Sequence, residues 1–232
     1  PNAMGVILAN LGAVHHALGD LDAAVEATTE ALAIAEAIGD EDGVAISVLN
    51  IATFDLERGD LAAAAEHAAT SLECSVRLSY REVTAYGLGI VAAVAAATGR
   101  PEDAGMLAGA FSEHFRAIGS DPQAVEGERL AATLARVASE IDVEAAVERG
   151  MVLTQDEVLQ LARDVITSVW SNAGVVFGEE IAARPGFVED VETALATMRG
   201  LALLRSFTGE SSRQLDKRWP PVRARLLRMF AG

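Results

Sequence analysis

Cysteine, aromatic residues and positive charge are all scarce in this chain of 232 residues. The single cysteine, Cys74, excludes an internal disulfide and any zinc site built from several cysteines. Aromatic residues make up 5% of the chain, and alanine dominates its hydrophobic share of 51%. Strands draw on β-branched and aromatic side chains, whereas alanine favours helices, so this composition predicts closely packed helices.

Long apolar runs are missing as well. The longest run, residues 88–97, is about half as long as a membrane-spanning helix needs to be. Residues 1–3 precede Met4 without a positively charged segment or an apolar segment that would form a secretory signal. We therefore expect residues 1–3 to be a cloning remnant, and we expect a cytoplasmic protein that makes no contact with a membrane.

The few basic residues are unevenly distributed. The net charge is −16, from 18 Lys and Arg against 34 Asp and Glu, which argues against nonspecific binding of nucleic acid by this chain alone. Residues 1–183 carry a net charge of −20, whereas residues 184–232 carry +4. A change of sign of this size predicts two modules of different character.

A repeat of forty residues runs through the first half of the chain. Three sets of equivalent positions show it: Gly19, Gly59 and Gly99; Ala24, Ala64 and Ala104; and Ile38-Gly39, Leu78-Ser79 and Ile118-Gly119. Glycine accepts the left-handed conformation that ends a helix, and Asp20 and Asp60 suit the N-cap of the helix that follows. The spacing predicts helix pairs whose second helices span residues 22–38, 62–78 and 102–118.

This pattern resembles the tetratricopeptide repeat. The segments Asn10-Leu11-Gly12, Gly19-Asp20-Leu21-Asp22-Ala23-Ala24 and Ala31-Leu32 follow the motif of that family, with a period of 40 residues instead of about 34. Over about residues 5–165, the longer helices resemble the repeat arrays of LuxR- and MalT-type transcriptional regulators and of bacterial signal-transduction ATPases.

The resemblance implies an all-α fold, an α-solenoid of antiparallel helix pairs that continues into a C-terminal helix pair. We expect three repeats over residues 4–122 and capping helices over residues 123–168, because a solenoid needs a polar cap on its last repeat. Within the capping segment, Thr154 and Glu157 fit a capping box that opens the last helix.

The repeat phase is lost in residues 169–232, which resemble the last two helices of TetR-family repressors over about residues 175–232. The segments that carry this resemblance are Phe177-Gly178-Glu179-Glu180, Ala183-Arg184-Pro185-Gly186-Phe187 and Arg218-Trp219-Pro220. In that family the two helices pack against their twin, so the resemblance implies a homodimer. Its interface would contain Leu195, Leu203, Trp219 and Leu226. The helix-turn-helix of the family has no counterpart in this sequence, so its DNA-binding role does not carry over.

Helical repeats present a concave surface to their partners. Carried over from the repeat family, the positions on that surface are His16, Leu49, Thr53, Leu56, Tyr86 and Ala93. None is Lys or Arg, which argues against a site for a terminal carboxylate and favours an apolar groove for a partner helix. The alternative is that this face packs on another part of a parent regulator or on a second copy.

We recognise no set of catalytic residues in the sequence. It contains neither a phosphate-binding loop nor a nucleophile–base pair, so we predict no enzyme, no cofactor and no metal site. We predict instead a noncatalytic protein–protein interaction module, the regulatory or scaffold part of a transcriptional or signalling regulator. The alternative is a small-molecule sensor with an apolar pocket between the repeats and the C-terminal helices. That pocket would be lined by Trp170, Phe177, Phe187 and Met198.

Overall fold

The structure is a computed structural model, and it describes residues 2–171. Within this range the chain forms nine α-helices and no strand, which confirms the predicted all-α solenoid. The helices are α1 (Asn2–Ala17), α2 (Leu21–Ile38), α3 (Glu41–Arg58), α4 (Leu61–Arg77), α5 (Arg81–Ala97), α6 (Pro101–Ile118), α7 (Ala124–Val137), α8 (Val143–Met151) and α9 (Gln155–Ser171).

The second helix of each pair begins within one residue of its predicted start. Helices α2 and α4 begin after Asp20 and Asp60, whose carboxylates accept hydrogen bonds of 3.1 and 3.0 Å from the backbone N–H groups of Ala23 and Ala63. These bonds satisfy N–H groups that have no partner within the helix. Asp40 caps α3 in the same way. The N-cap aspartates thus set where these three helices start.

Most of the turns between helices use a residue in the left-handed conformation, at intervals of twenty residues. Five of these residues are glycines with φ between 67° and 79°: Gly19, Gly39, Gly59, Gly99 and Gly119. The place between Gly59 and Gly99 is taken by Ser79, which adopts φ 57° although its side chain disfavours that region. The repeat therefore imposes its turn geometry even where glycine is absent.

The helices pack as two layers of antiparallel pairs. Helices α1, α3 and α5 each pack against the helix that follows them, and α1, α3, α5 and α7 also contact one another in that order along one side. Ala24, Ala64 and Ala104 are fully buried between paired helices, where their small side chains permit close approach. This order places the side chains of α3, α5 and α7 on a common surface.

Helix α8 covers α6 at one end of the solenoid. A Cβ on Gly109 would lie 2.1 Å from the carbonyl oxygen of Val147, and a Cβ on Gly150 would lie 1.9 Å from that of Met106. The two backbones are therefore in direct contact. Helix α9 follows, and its first turn contains the predicted capping box, in which Glu157 accepts hydrogen bonds from the N–H and the hydroxyl of Thr154.

The predicted module of residues 169–232 falls almost entirely outside the described residues. The same holds for the predicted dimer interface of Leu195, Leu203, Trp219 and Leu226. Of the predicted apolar pocket, Phe177, Phe187 and Met198 lie outside the described residues, and the side chain of Trp170 does as well.

Candidate functional site

A groove lies on the surface that α3, α5 and α7 share, and we call it the inner groove. Its volume is about 230 Å³. Buried apolar side chains line it, namely Leu49 from α3, Val83 and Ile90 from α5, and Phe111 from α6. Glu82 and Gln123, which also line it, are exposed, so the groove opens to solvent. The arrangement is an apolar floor beneath a polar rim.

The structure brings three of the residues predicted for the concave surface into this groove: Leu49, Thr53 and Tyr86. The other three lie outside its described lining. His16 lies at the end of α1 with its ring 5.0 Å from that of Phe54, and Leu56 and Ala93 are half-buried. A role of these residues in partner binding stays a prediction.

Tyr86 connects the groove to the start of α7. Its ring packs 5.2 Å from that of Phe115 and 6.3 Å from that of Phe111, measured between centroids. Its hydroxyl oxygen accepts a hydrogen bond of 3.2 Å from the backbone N–H of Gln123, the residue that precedes α7. Burial raises the pKa of Tyr86 above its ordinary value, so the phenol remains neutral at physiological pH and presents an O–H group.

A chain of four charged or ionisable side chains joins α1, α3 and α7 beside the groove. Glu57 accepts hydrogen bonds from His16 Nε2 at 2.9 Å and from Arg129 Nη2 at 3.0 Å. Arg129 also donates to Glu126 at 2.9 Å, and its side chain is only 18% exposed. Partly buried charges of this kind must be paired. Here the carboxylates of Glu57 and Glu126 share the single guanidinium of Arg129.

The expectation that the predicted concave-surface positions carry no Lys or Arg does not cover Arg129, a cation that lines the groove. That expectation considered the first helices of the three repeats, whereas Arg129 comes from α7, 72 residues after its partner Glu57. The only signal in the sequence is the spacing of three residues between Glu126 and Arg129, which indicates a local pair and says nothing about α3. Since two carboxylates engage Arg129, the lining that residues 2–171 supply offers no unpaired cation to a ligand carboxylate.

Asn50 supplies to the groove a carboxamide that has no hydrogen-bond partner in the described part of the chain. It is half-buried on α3 between Leu49 and Ile51, and it lines the groove. Its carboxamide makes no hydrogen bond with any residue that the structure describes. A primary amide has both donors and an acceptor, so Asn50 can bind a peptide group, which also has one of each.

The groups that a metal site requires do not converge in residues 2–171. No group of three His, Cys, Asp or Glu side chains in this range is arranged to hold a metal ion. His67 contacts Asp55 at 2.6 Å, and Cys74 is half-buried. None of the helices in the described part of the chain has the length and apolarity that crossing a bilayer requires.

A family model for the tetratricopeptide repeat matches residues 3–75. The match spans nearly all of α1 to α4, the region in which the glycine and aspartate positions repeat most closely. It confirms repeats similar to this family in the first third of the chain. No curated protein matches the chain. No solved structure matches it either.

Proposed function

We propose that this chain is a noncatalytic interaction module that holds a segment of another protein in the inner groove. The observation that carries the proposal is the convergence of α3, α5 and α7 on one open groove, in which Asn50 lies beside an apolar floor and has no hydrogen-bond partner among residues 2–171. The match to the tetratricopeptide repeat supports it, because such repeats generally mediate contacts between proteins.

The lining indicates the chemistry of the partner. Leu49, Val83 and Ile90 offer a surface to one or two apolar side chains, and Asn50 offers hydrogen bonds to a peptide group. Exposed Glu82 at the rim favours a basic residue next to that apolar anchor. A partner helix with an apolar stripe flanked by Lys or Arg fits this combination, and a free carboxylate does not.

The size of the groove favours a protein partner over a small molecule at this place. Pockets that enclose drug-sized ligands have volumes of about 300–1,000 Å³. The inner groove, at about 230 Å³, is smaller and opens to solvent. It accommodates a few side chains that project from a larger partner. The alternative function, a small-molecule sensor, concerns a different pocket, most of whose predicted residues lie outside the described part of the chain.

We further propose that the module is the regulatory or scaffold part of a transcriptional or signalling regulator in the cytoplasm. Support for this role comes from the 40-residue period and its resemblance to the repeat arrays of such regulators. The resemblance of residues 175–232 to TetR-family repressors supports a homodimer through that segment.

Selection of peptides from a randomised display library against the full chain tests the groove. Affinities of the selected peptides are then measured by fluorescence anisotropy for the wild type and for Asn50→Arg, which places a long cation across the groove. Thr29→Arg is the matched control, because Thr29 is exposed on α2. We expect enrichment of peptides that combine apolar and basic residues. These peptides should bind Asn50→Arg at least tenfold more weakly than the wild type, and Thr29→Arg as tightly as the wild type.

A milder variant separates the amide from the shape of the groove. Asn50→Ala removes the hydrogen bonds of the carboxamide, each worth about 1 kcal/mol, so we expect a loss of several-fold in affinity. Equal binding by the wild type and both Asn50 variants would place the peptide site elsewhere on the chain. Failure of the library to yield any binder would contradict the proposed function itself.

A further inference from the structure

One ion pair joins two helices of the inner layer that are not adjacent in that layer. Helix α5 lies between α3 and α7 and contacts both of them. Arg129 of α7 nevertheless reaches Glu57 of α3, 72 residues earlier in the chain, with 3.0 Å between Nη2 and Oε1. In a helical solenoid each unit normally contacts only its neighbours. The pair therefore adds a tie that the repeat pattern does not supply, and we call it the clasp.

The clasp connects the two walls of the inner groove. Ile46, Asn50 and Thr53 line the groove from α3. Together with Glu57 they are spaced by four, three and four residues, which keeps all four on one side of the helix. Arg129 lines the groove from α7. The distance between the α3 wall and the α7 wall is therefore directly linked to this ion pair.

The part of α7 that forms the groove wall has little apolar packing of its own. The buried residues of α7 are Thr133 and Val137, and both come after Arg129. Leu130, which is partly buried, packs against the cluster that contains Phe111. A segment with few buried apolar contacts opens at a lower free energy than the core does. The position of this wall thus depends on its polar contacts, of which the clasp reaches furthest across the layer.

The clasp is better shielded from solvent than an ion pair between two neighbouring helices. The side chains of Arg129 and Glu57 are 18% and 33% exposed. Those of Arg149 and Glu102, which join α8 to α6, are 52% and 54% exposed. Exposed pairs contribute little because water and salt screen them, whereas partly buried pairs are screened less. Glu57 is also held by His16 of α1, so its carboxylate ties three helices of the inner layer together.

We propose that Arg129 is a positioning residue that sets the curvature of the inner surface by holding α7 to α3 across α5. The curvature of a solenoid follows from the small rotation between successive repeats, so a tie between helices that are not adjacent limits it. The clasp thereby fixes the distance between the two walls of the inner groove. The consequence for partner binding rests on the proposed function, whereas the effect on this distance does not.

The distance between α3 and α7 tests the proposal without any partner. Spin labels are attached to Asp42→Cys on α3 and Ala132→Cys on α7, two exposed positions, in the full chain with Cys74→Ser. Double electron–electron resonance then measures the distribution of distances between the labels. We expect a narrow distribution in this labelled chain, because the clasp restrains the two helices.

Variants of the clasp are then compared in the labelled chain. Glu57→Gln and Arg129→Gln each remove one charge of the clasp, and both should lengthen and broaden the distribution. Arg129→Lys keeps the charge but lacks the fork that serves two carboxylates, so its distribution should be intermediate. Arg149→Gln is the matched control and should change nothing. Circular dichroism establishes that the variants are folded. Identical distributions with and without the clasp would overturn the proposal.

The affinity of the selected peptides gives a second readout. Glu57 lies outside the described lining of the groove, so a change of affinity in Glu57→Gln would act through the position of α7. We expect binding about fivefold weaker, because only molecules with the wild-type groove width bind. Arg149→Gln should bind as the wild type does. Unchanged affinity in Glu57→Gln would overturn the role of the clasp in binding. A library without any binder would contradict the proposed function, and the label distances would still decide whether the clasp sets the curvature.

Discussion

The two ends of the described solenoid finish in different ways. At one end α8 packs directly on α6, and α9 follows with Val158, Ala162, Val165 and Val169 buried. At the other end α1 packs on α2 by one side and exposes large apolar side chains on another. A stack of helix pairs leaves an apolar face open at each end unless something covers it. The chain carries the cover for one end within its own described residues.

Backbone contact distinguishes the two ends as well. Between α6 and α8, Gly105, Gly109 and Gly150 leave room for the two helices to touch. Between α1 and α2, Gly12 faces the hydroxyl of Thr28, and that buried hydroxyl has no hydrogen-bond partner. We call the end at which α8 packs on α6 the covered end. Its closest contact contains no buried side-chain polar atom that lacks a hydrogen-bond partner in the described residues, whereas the α1 end contains one, the hydroxyl of Thr28. Three substitutions test this difference, starting with the largest expected effect.

Substitution of Gly150 should destabilise the covered end strongly. In Gly150→Ala the new Cβ would lie 1.9 Å from the carbonyl oxygen of Met106, which belongs to a helix backbone and cannot rotate away. Overpacking of a closely packed contact costs about 1–3 kcal/mol, and we expect the upper part of that range. Urea denaturation followed by circular dichroism measures the change.

Gly127→Ala is the matched control for this substitution. Gly127 lies within α7, and a Cβ there would meet nothing within 4 Å. Alanine is favoured over glycine within a helix by about 1 kcal/mol, so this variant should be more stable than the wild type. If the two variants changed stability in the same direction, the closeness of α6 and α8 would not be what holds the covered end together.

Removal of the hydroxyl of Thr28 should strengthen the packing of α1 on α2. Thr28→Val keeps the shape of the side chain and removes a buried polar atom that has no partner. An unsatisfied group of this kind costs about 1–3 kcal/mol, so we expect the free energy of unfolding to rise by about 1 kcal/mol.

Ser71→Ala provides the contrast for Thr28→Val. Ser71 is equally buried, but its hydroxyl donates a hydrogen bond of 3.1 Å to the carbonyl oxygen of Ala45. Its loss should lower stability by about 1 kcal/mol. Thermal denaturation of both variants compares the two cases, and a stability loss in Thr28→Val would mean that this hydroxyl has a partner in solution.

The local features of the fold were predictable because they depend on neighbouring residues. A glycine in the left-handed conformation and an aspartate that caps the next helix lie within a few positions of each other, so their recurrence places α2 and α4 closely. At α6 the glycine recurs without the aspartate, and Pro101 begins the helix. Ser79 shows the limit of this argument, because a residue with a Cβ adopts the same conformation at the equivalent position. Thr154 and Glu157 were predictable for the same local reason.

The contacts between distant segments were not predictable in this way. From the sequence, Gly150 is only a weak helix former. The structure shows that the backbone of Met106 on α6 leaves no space for a Cβ at this position. Arg129 reaches the inner groove because α7 continues the layer of first helices after the 40-residue phase has ended. The resemblance to the repeat family implied six positions on the concave surface, of which Leu49, Thr53 and Tyr86 line the groove and the other three lie outside its described lining.

The smallest expected effect concerns how α9 begins at the covered end. The hydrogen bond from the backbone N–H of Thr154, assisted by its hydroxyl, lowers the pKa of Glu157 below its ordinary value of 4.5. A carboxyl group with a lowered pKa stabilises the fold above its ordinary pKa, and this contribution is lost as the pH falls through the folded-state pKa. Glutamine also serves in a capping box and does not titrate. Glu157→Gln should therefore be slightly less stable than the wild type at neutral pH and should approach it in acid.

Urea denaturation at pH values above and below 4.5 measures the difference, with Glu148→Gln as the control for loss of one exposed carboxylate. A gap between wild type and Glu157→Gln that stays constant with pH would show that the start of α9 does not depend on the charge of Glu157.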